Sequence, residues 1–176
     1  MLVLKEKSII QGIEKAFERA IKMQKPILFS YSFRFDVRDV LPLLTHPIDK
    51  ETTRIYWTQP SKGFSYAGLG SVLKYKKHDM QDMLEMKEEI LESMRMGVSI
   101  GDNTFIGPRM IGGIAFNEYT GNDITWERFP RAQFHLSECL ATLTDDGTWL
   151  TISRMIDKKD IIDDIIKKFN RTVSYY

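Results

Sequence analysis

Three histidines and one cysteine are the residues of this sequence best suited to metal, acid–base or nucleophilic chemistry, and their spacing supports none of it. His46, His78 and His135 are scattered, and none has a second ligand at helical or hairpin spacing, so a zinc site is not expected. His135 stands between Phe134 and Leu136, on the opposite face of a strand, which places its ring on the solvent side. A nucleophilic Cys139 would need a nearby base and an electropositive, partly open setting. It lies instead among apolar strand residues and reads as a buried structural thiol. With no second cysteine, neither an intramolecular disulfide nor a cysteine zinc cluster can form, and a reducing compartment is expected.

Two glycine pairs invite comparison with phosphate cradles. Gly68 and Gly70 in AGLG open no helix and have no third glycine, so the dinucleotide fingerprint fails, leaving close backbone packing inside a strand. Gly112-Gly113 in RMIGGIAF reads as a place where a strand bends or another element comes close. Arg109, beside a Gly-Pro turn, could reach a carboxylate, but a structural ion pair or a capping role is the favoured reading. Glu85, Glu88, Glu89 and Glu92 are interleaved with basic residues as on a solvated helix face, not gathered as metal ligands. Met80, Met83, Met86, Met94 and Met96 could form an adaptable groove. Because Met80, Met83 and Met94 share one apolar stripe, core packing is the expectation. No residue is thereby assigned a catalytic, substrate-binding or metal-ligating role.

The elements that would position these residues follow from periodicity. Ser8 is a candidate N-cap for a first helix with Ile9, Ile10, Ile13, Phe17, Ala20 and Ile21 on one stripe, closed by Pro26. Ile27, Phe29, Tyr31, Phe33 and Phe35 alternate with polar residues, as in a strand with one buried face. After a proline-interrupted connection, Arg54 to Thr58 and Phe64 to Tyr75 read as a hairpin. Asp79 can cap a second helix burying Met80, Met83, Leu84, the Lys87 stem, Ile90, Leu91 and Met94, with Gly97 as its left-handed end and a glycine-rich loop to Pro108. Strands follow at Arg109 to Phe116, Ala132 to Leu143 and Thr148 to Arg154, the last two joined by Asp145-Asp146-Gly147. The apolar parity shifts from Phe134 and Leu136 to Cys139 and Ala141, which suggests a bulge. A closing helix from near Asp157 carries Ile161, Ile162, Ile165, Ile166 and Phe169 on one face, and the stretch from Asn170 to Tyr176 holds no stop signal. Hairpin turns with a single long helical crossover favour α+β with mainly antiparallel sheet flanked by three helices.

Composition agrees with a single globular domain over residues 1–176: hydrophobic residues make up 43% and charged residues 28% of the chain. With 25 basic against 24 acidic side chains, a counterion-driven grip on nucleic acid is not expected. The N-terminal apolar residues are broken by charges, so neither a signal peptide nor a membrane span is read and a cytoplasmic location is expected.

Four segments taken together carry a resemblance that no single residue does: RIYWTQPSKGFSYAGLGSV (54–72), GPRMIGGIAFN (107–117), WERFPRAQFHLSE (126–138) and DGTWLTI (146–152). In this order and separation they resemble the N-terminal half of isochorismate synthases of the chorismate-utilising enzyme family. The matching positions are Trp57, Pro60, Gly63, Phe64, Gly68, Leu69, Gly70, Gly107, Pro108, Arg109, Gly112, Gly113, Ala115, Phe116, Trp126, Phe129, Pro130, Phe134, Leu136, Thr148 and Trp149. Ile114 departs from a frequent aromatic, and the LLES segment of the related anthranilate synthases is not seen. The resemblance implies an α+β scaffold of packed antiparallel sheets, with Trp57 and Phe116 buried on core strands. It implies a parent that converts chorismate to isochorismate with Mg²⁺, a lysine base and a glutamate acid, for menaquinone or catechol siderophore synthesis. Those groups belong to the family's second half, so this chain is expected to bind no Mg²⁺ itself, to be inactive alone, and to have the missing C-terminal half as partner. A non-catalytic binding or regulatory module on the same scaffold, or part of a salicylate or anthranilate synthase, are the alternatives.

Overall fold

The computed structural model describes residues 6–35, 37–45, 52–77, 80–101, 106–116 and 130–175. His46, His78, Asp79, Trp126 and Phe129 lie outside them, as does the side chain of Met80.

Apolar residues three and four apart make α1 (Glu6–Met23), which buries Ile9, Ile13, Ala16 and Ala20. The helix is already formed before Ser8, so Ser8 lies in its first turn instead of capping it. Ile21, expected on the stripe, is exposed because it lies at the stripe's edge in the last turn.

Six strands form the main sheet: β1 (Ile27–Arg34), β2 (Arg54–Gln59), β3 (Phe64–Leu69), β5 (Val98–Ile100), β8 (Cys139–Thr144) and β9 (Gly147–Ile156), in the order β2-β3-β8-β9-β1-β5. Every pair is antiparallel except β1 with β5. A second, antiparallel sheet holds β4 (Leu73–Lys77), β6 (Met110–Ile114) and β7 (Ala132–Leu136) in the order β4-β7-β6. With α2 (Met80–Met96) and α3 (Ile162–Tyr175), the α+β class stands as expected, with three α-helices among the described residues.

The core lies where α1 and α3 cover one face of the main sheet. Phe169 of α3 is fully buried, its ring centroid 5.4 Å from Phe29 and 6.2 Å from Tyr31. The opposite face of β1 is also buried, contrary to the one-faced expectation. It is polar, and its hydroxyls pair across the ladder, Ser30 with Ser153 and Ser32 with Thr151, each at 2.9 Å. Internal pairing lets a strand buried on both faces alternate like a half-exposed one.

Two stretches read as single strands each divide between the sheets. Phe64 to Tyr75 breaks after Leu69, where Gly70 adopts φ +71°, a conformation that favours glycine. Ala132 to Leu143 breaks at Ser137-Glu138, so the parity shift marks a crossing between sheets and not a bulge. The hydrogen bonds from Val72 N to Leu136 O (2.8 Å) and from Ser153 N to Glu138 O (2.8 Å) fasten these junctions to opposite sheets.

Three further boundaries differ from the expectation. The loop drawn through residues 97–108 contains β5, too short to show alternation and recognisable only by its parallel pairing with β1. Gly97 has no left-handed φ; Arg19 of α1 satisfies the end of α2 by donating Nη1 to the carbonyls of Met96 (3.0 Å) and Gly97 (2.9 Å). α3 starts at Ile162 and not near Asp157, because the Asp157 and Asp160 carboxylates accept local backbone N–H bonds that shape a turn first.

Candidate functional site

Alternation along β7 divides the small sheet into two chemically different faces. Gln133 and His135 share one face, with Lys74 and Ile111 opposite His135, and Lys76 and Gly113 opposite Gln133. Phe134 points the other way, with Tyr75 and Gly112 opposite it.

The polar face borders a cleft of about 810 Å³ whose other wall is the edge strand β2, with Arg54, Ile55, Tyr56 and Trp57. Its lining includes Arg54, Lys76 and Arg131 and, among the described residues, no aspartate or glutamate. Arg54 Nε donates to the Leu44 carbonyl at 3.0 Å and Nη1 to that of Thr52 at 3.1 Å, which fixes the guanidinium at the rim. The Nε of Arg131 is buried and has no hydrogen-bond partner among the described residues. Leaving such a donor unpaired costs about 1–3 kcal/mol.

His135 is only 5% exposed, which corrects the solvent-side expectation: the second face of its strand looks into the cleft and not into bulk water. Its Nε2 lies 2.6 Å from Gln133 Nε2 and its Nδ1 lies 3.2 Å from Ser71 Oγ. With the Gln133 amide donating to Nε2, the ring proton sits on Nδ1 and is shared with Ser71, a neutral tautomer. Burial, and then the charges of Lys74 and Lys76, hold the imidazole pKa below its usual value, consistent with that neutral form. No run of sequence announces this chain of groups, since Ser71 and Gln133 meet the histidine only through strand register.

The glycines of β6 play unequal parts. A Cβ on Gly112 would come within 1.9 Å of the Gln133 carbonyl oxygen, whereas one on Gly113 would meet nothing within 4 Å. Gly112 is thus the close approach expected of the pair, and Gly113 is open to the cleft side.

The opposite face of the small sheet and α2 enclose an apolar groove of about 670 Å³, lined by Met83, Leu84, Ile90, Leu91, Ile114 and Phe134, among others. Met86 is buried, but Leu84 is 71% and Leu91 52% exposed, so the stripe expected in the core is only partly covered. The exposure of Trp57 and Phe116 corrects the expectation that both are buried. Phe116 is 101% exposed, lying past the end of β6. Trp57 is 41% exposed on edge strand β2, where its ring packs on Phe64 (5.0 Å) and Tyr66 (6.0 Å) of β3.

The remaining sequence candidates sit apart from the cleft. Cys139 is buried at 2% exposure, as expected of a structural thiol. Arg109 is half-buried, with Nη1 3.4 Å from the Pro108 carbonyl oxygen. Of the glutamate run, Glu92 pairs with Lys25 of the α1–β1 turn at 2.5 Å, and that contact lowers its carboxyl pKa. Among the described residues no three of His, Cys, Asp and Glu are grouped to hold a metal ion, so these residues do not fit a Mg²⁺ site. No helix among them is long and apolar enough to cross a membrane.

A family model described as chorismate binding enzyme matches residues 14–175, and the chain belongs to that family. Among curated relatives, it is similar to the isochorismate synthase MenF of Bacillus subtilis (strain 168), with 21% identity over 164 residues, covering 89% of this chain and 35% of the relative. It is also similar to the salicylate biosynthesis isochorismate synthase of Pseudomonas aeruginosa, with 26% identity over 132 residues, covering 73% of this chain and 27% of the relative. The chain therefore spans about a third or less of the length of these relatives.

Proposed function

We propose that this chain is the N-terminal scaffold portion of an isochorismate synthase, acting in conversion of chorismate to isochorismate in the cytoplasm for menaquinone or siderophore synthesis. The observation that carries this reading is the family match over residues 14–175 together with two relatives that are both isochorismate synthases. In this reading the general base, the general acid and the Mg²⁺ ligands come from a C-terminal half that docks on the scaffold, and the residues here supply packing.

The surfaces support a docking role. The apolar groove between α2 and the small sheet exposes Leu84, Leu91 and Ile114, and monomers seldom leave such a contiguous apolar surface uncovered. Among the described residues, strands β2 and β5 end the main sheet and β4 and β6 end the small one, and such edges are where further strands can pair.

Incubating the purified chain with chorismate and Mg²⁺, and following isochorismate by a coupled assay, tests the assignment of the chemistry to the other half. No turnover is expected, since losing one acid–base group removes about a hundred- to ten-thousand-fold in rate and several are missing together. Measurable turnover would place the active site within these 176 residues and overturn the proposal.

A further inference from the structure

We propose that the apolar groove between α2 and the small sheet binds an unbranched aliphatic carboxylate, its chain lying in the groove and its head at the Lys87 ammonium. The inference goes beyond the scaffold reading and does not depend on it. The groove is open at Leu84 and Leu91 in this chain, and a polypeptide docking there would displace the ligand.

The walls set the chemistry of the tail. Met83, Ile90 and Leu91 of α2 and Ile114 and Phe134 of the small sheet line about 670 Å³, within the range of small-molecule sites. None of these side chains donates a hydrogen bond, so an extended peptide lying here would leave its own polar groups unpaired. A hydrocarbon chain has none to lose and gains with every methylene it buries. From Met83 to Leu91 the groove follows the helix for about 12 Å, roughly two turns, which suits a chain of medium length better than a second helix about 10–12 Å across. The thioethers of Met83, Met86 and Met110 let the lining repack around such a chain.

Lys87 sets the chemistry of the head. Among the described residues it is the one charged side chain of the lining, and it belongs to neither the Lys25–Glu92 nor the Arg154–Glu138 pair. Three and four residues away on α2, where a helical partner would stand, are Met83, Leu84, Ile90 and Leu91, so the glutamates of this helix lie off the stripe. The side chain is exposed, and its long stem can lie on the apolar wall while the ammonium stays at the rim. A cation at the rim of an otherwise apolar groove complements an anion carried on an apolar tail. A neutral tail would leave that charge to water, and a cationic one would be repelled.

The test is calorimetric titration of the full 176-residue chain with octanoate, decanoate and dodecanoate below their micelle concentrations, with decyltrimethylammonium as the cationic analogue. One saturable decanoate site is expected, with affinity rising about two- to fourfold per added methylene and the cation at least about tenfold weaker. Lys87→Glu, at an exposed position where folding is not at stake, should weaken decanoate by about five- to tenfold, and Leu91→Asp should abolish saturation. Absence of saturation by about 10 mM decanoate overturns the proposal. So does binding that ignores chain length or head charge, or an unchanged affinity in either variant. Sedimentation reads the other occupants: attachment to phosphatidylcholine vesicles without binding of the soluble acid, or a stable dimer that decanoate does not enter, also overturns it. Turnover with a C-terminal half is a separate readout, so failure of the scaffold reading leaves this test standing.

Discussion

Replacing Phe169 by alanine removes the side chain that joins α3 to the main sheet, and the structure sets the size of the effect. The ring is fully buried and packs on Phe29 and Tyr31 at centroid distances of 5.4 and 6.2 Å, in tilted and edge-on arrangements. Truncating a phenylalanine in such a setting costs about 3–5 kcal/mol. For a chain of this size each kcal/mol lowers the melting midpoint by about 2–4 °C, so a fall of roughly 6–20 °C is expected. Phe116→Ala is the matched control. Its ring is 101% exposed, and the same truncation should stay within about 0.5 kcal/mol of the parent. Urea and thermal unfolding followed by circular dichroism measure both. If Phe116→Ala proves the damaging substitution and Phe169→Ala the silent one, the assignment of the core to the α1–α3 face is wrong.

Other substitutions probe the site and its supports. Gly112→Ala should cost about 1–3 kcal/mol or more, because its Cβ would meet the Gln133 carbonyl oxygen at 1.9 Å, while Gly113→Ala should be neutral within about 0.5 kcal/mol; urea midpoints separate them. Arg19→Met keeps the aliphatic stem but removes the bonds to the Met96 and Gly97 carbonyls, with an expected loss of about 2–3 kcal/mol and faster amide exchange at the end of α2. His135 has a pKa lowered in the folded state, so the fold favours its neutral form. Its contribution is complete above the unfolded value of about 6.5 and is lost as pH falls below that toward the folded pKa. Stability measured at descending pH should therefore drop more steeply through this window in the parent than in His135→Gln; equal slopes would contradict the burial of the ring.

Legibility from the sequence followed the range of the interactions. The helix stripe of Ile9, Ile13 and Ala20, the alternation of Phe29, Tyr31 and Phe33 and the hairpin turn at Asp145-Asp146-Gly147 are local patterns, and each formed its element. What escaped was set by partners distant in the chain. Alternation is the same whether a strand continues or passes to a second sheet, so the breaks at Gly70 and Ser137 were hidden. β5 exists because β1 lies beside it, and Ser30 and Ser32 look like a solvent face until Ser153 and Thr151 are placed opposite. The cleft is the extreme case. Ser71, Gln133 and His135, or Arg54, Lys76 and Arg131, form no motif along the chain and are assembled only by strand register and the meeting of two sheets. Burial read from resemblance failed at Trp57 and Phe116, which lie on or beyond sheet edges, where exposure depends on whatever further strands or partner pack there.

Co-expressing this chain with the separately encoded C-terminal half of an isochorismate synthase, then assaying the co-purified material for isochorismate formation from chorismate and Mg²⁺, tests the scaffold assignment most directly. Neither chain alone should turn over, and the complex should, with Leu84→Asp and Leu91→Asp in the apolar groove weakening the association. A stable complex without activity would mark the chain as a binding or regulatory module, and turnover by this chain alone would put the chemistry in the half from which it has been excluded.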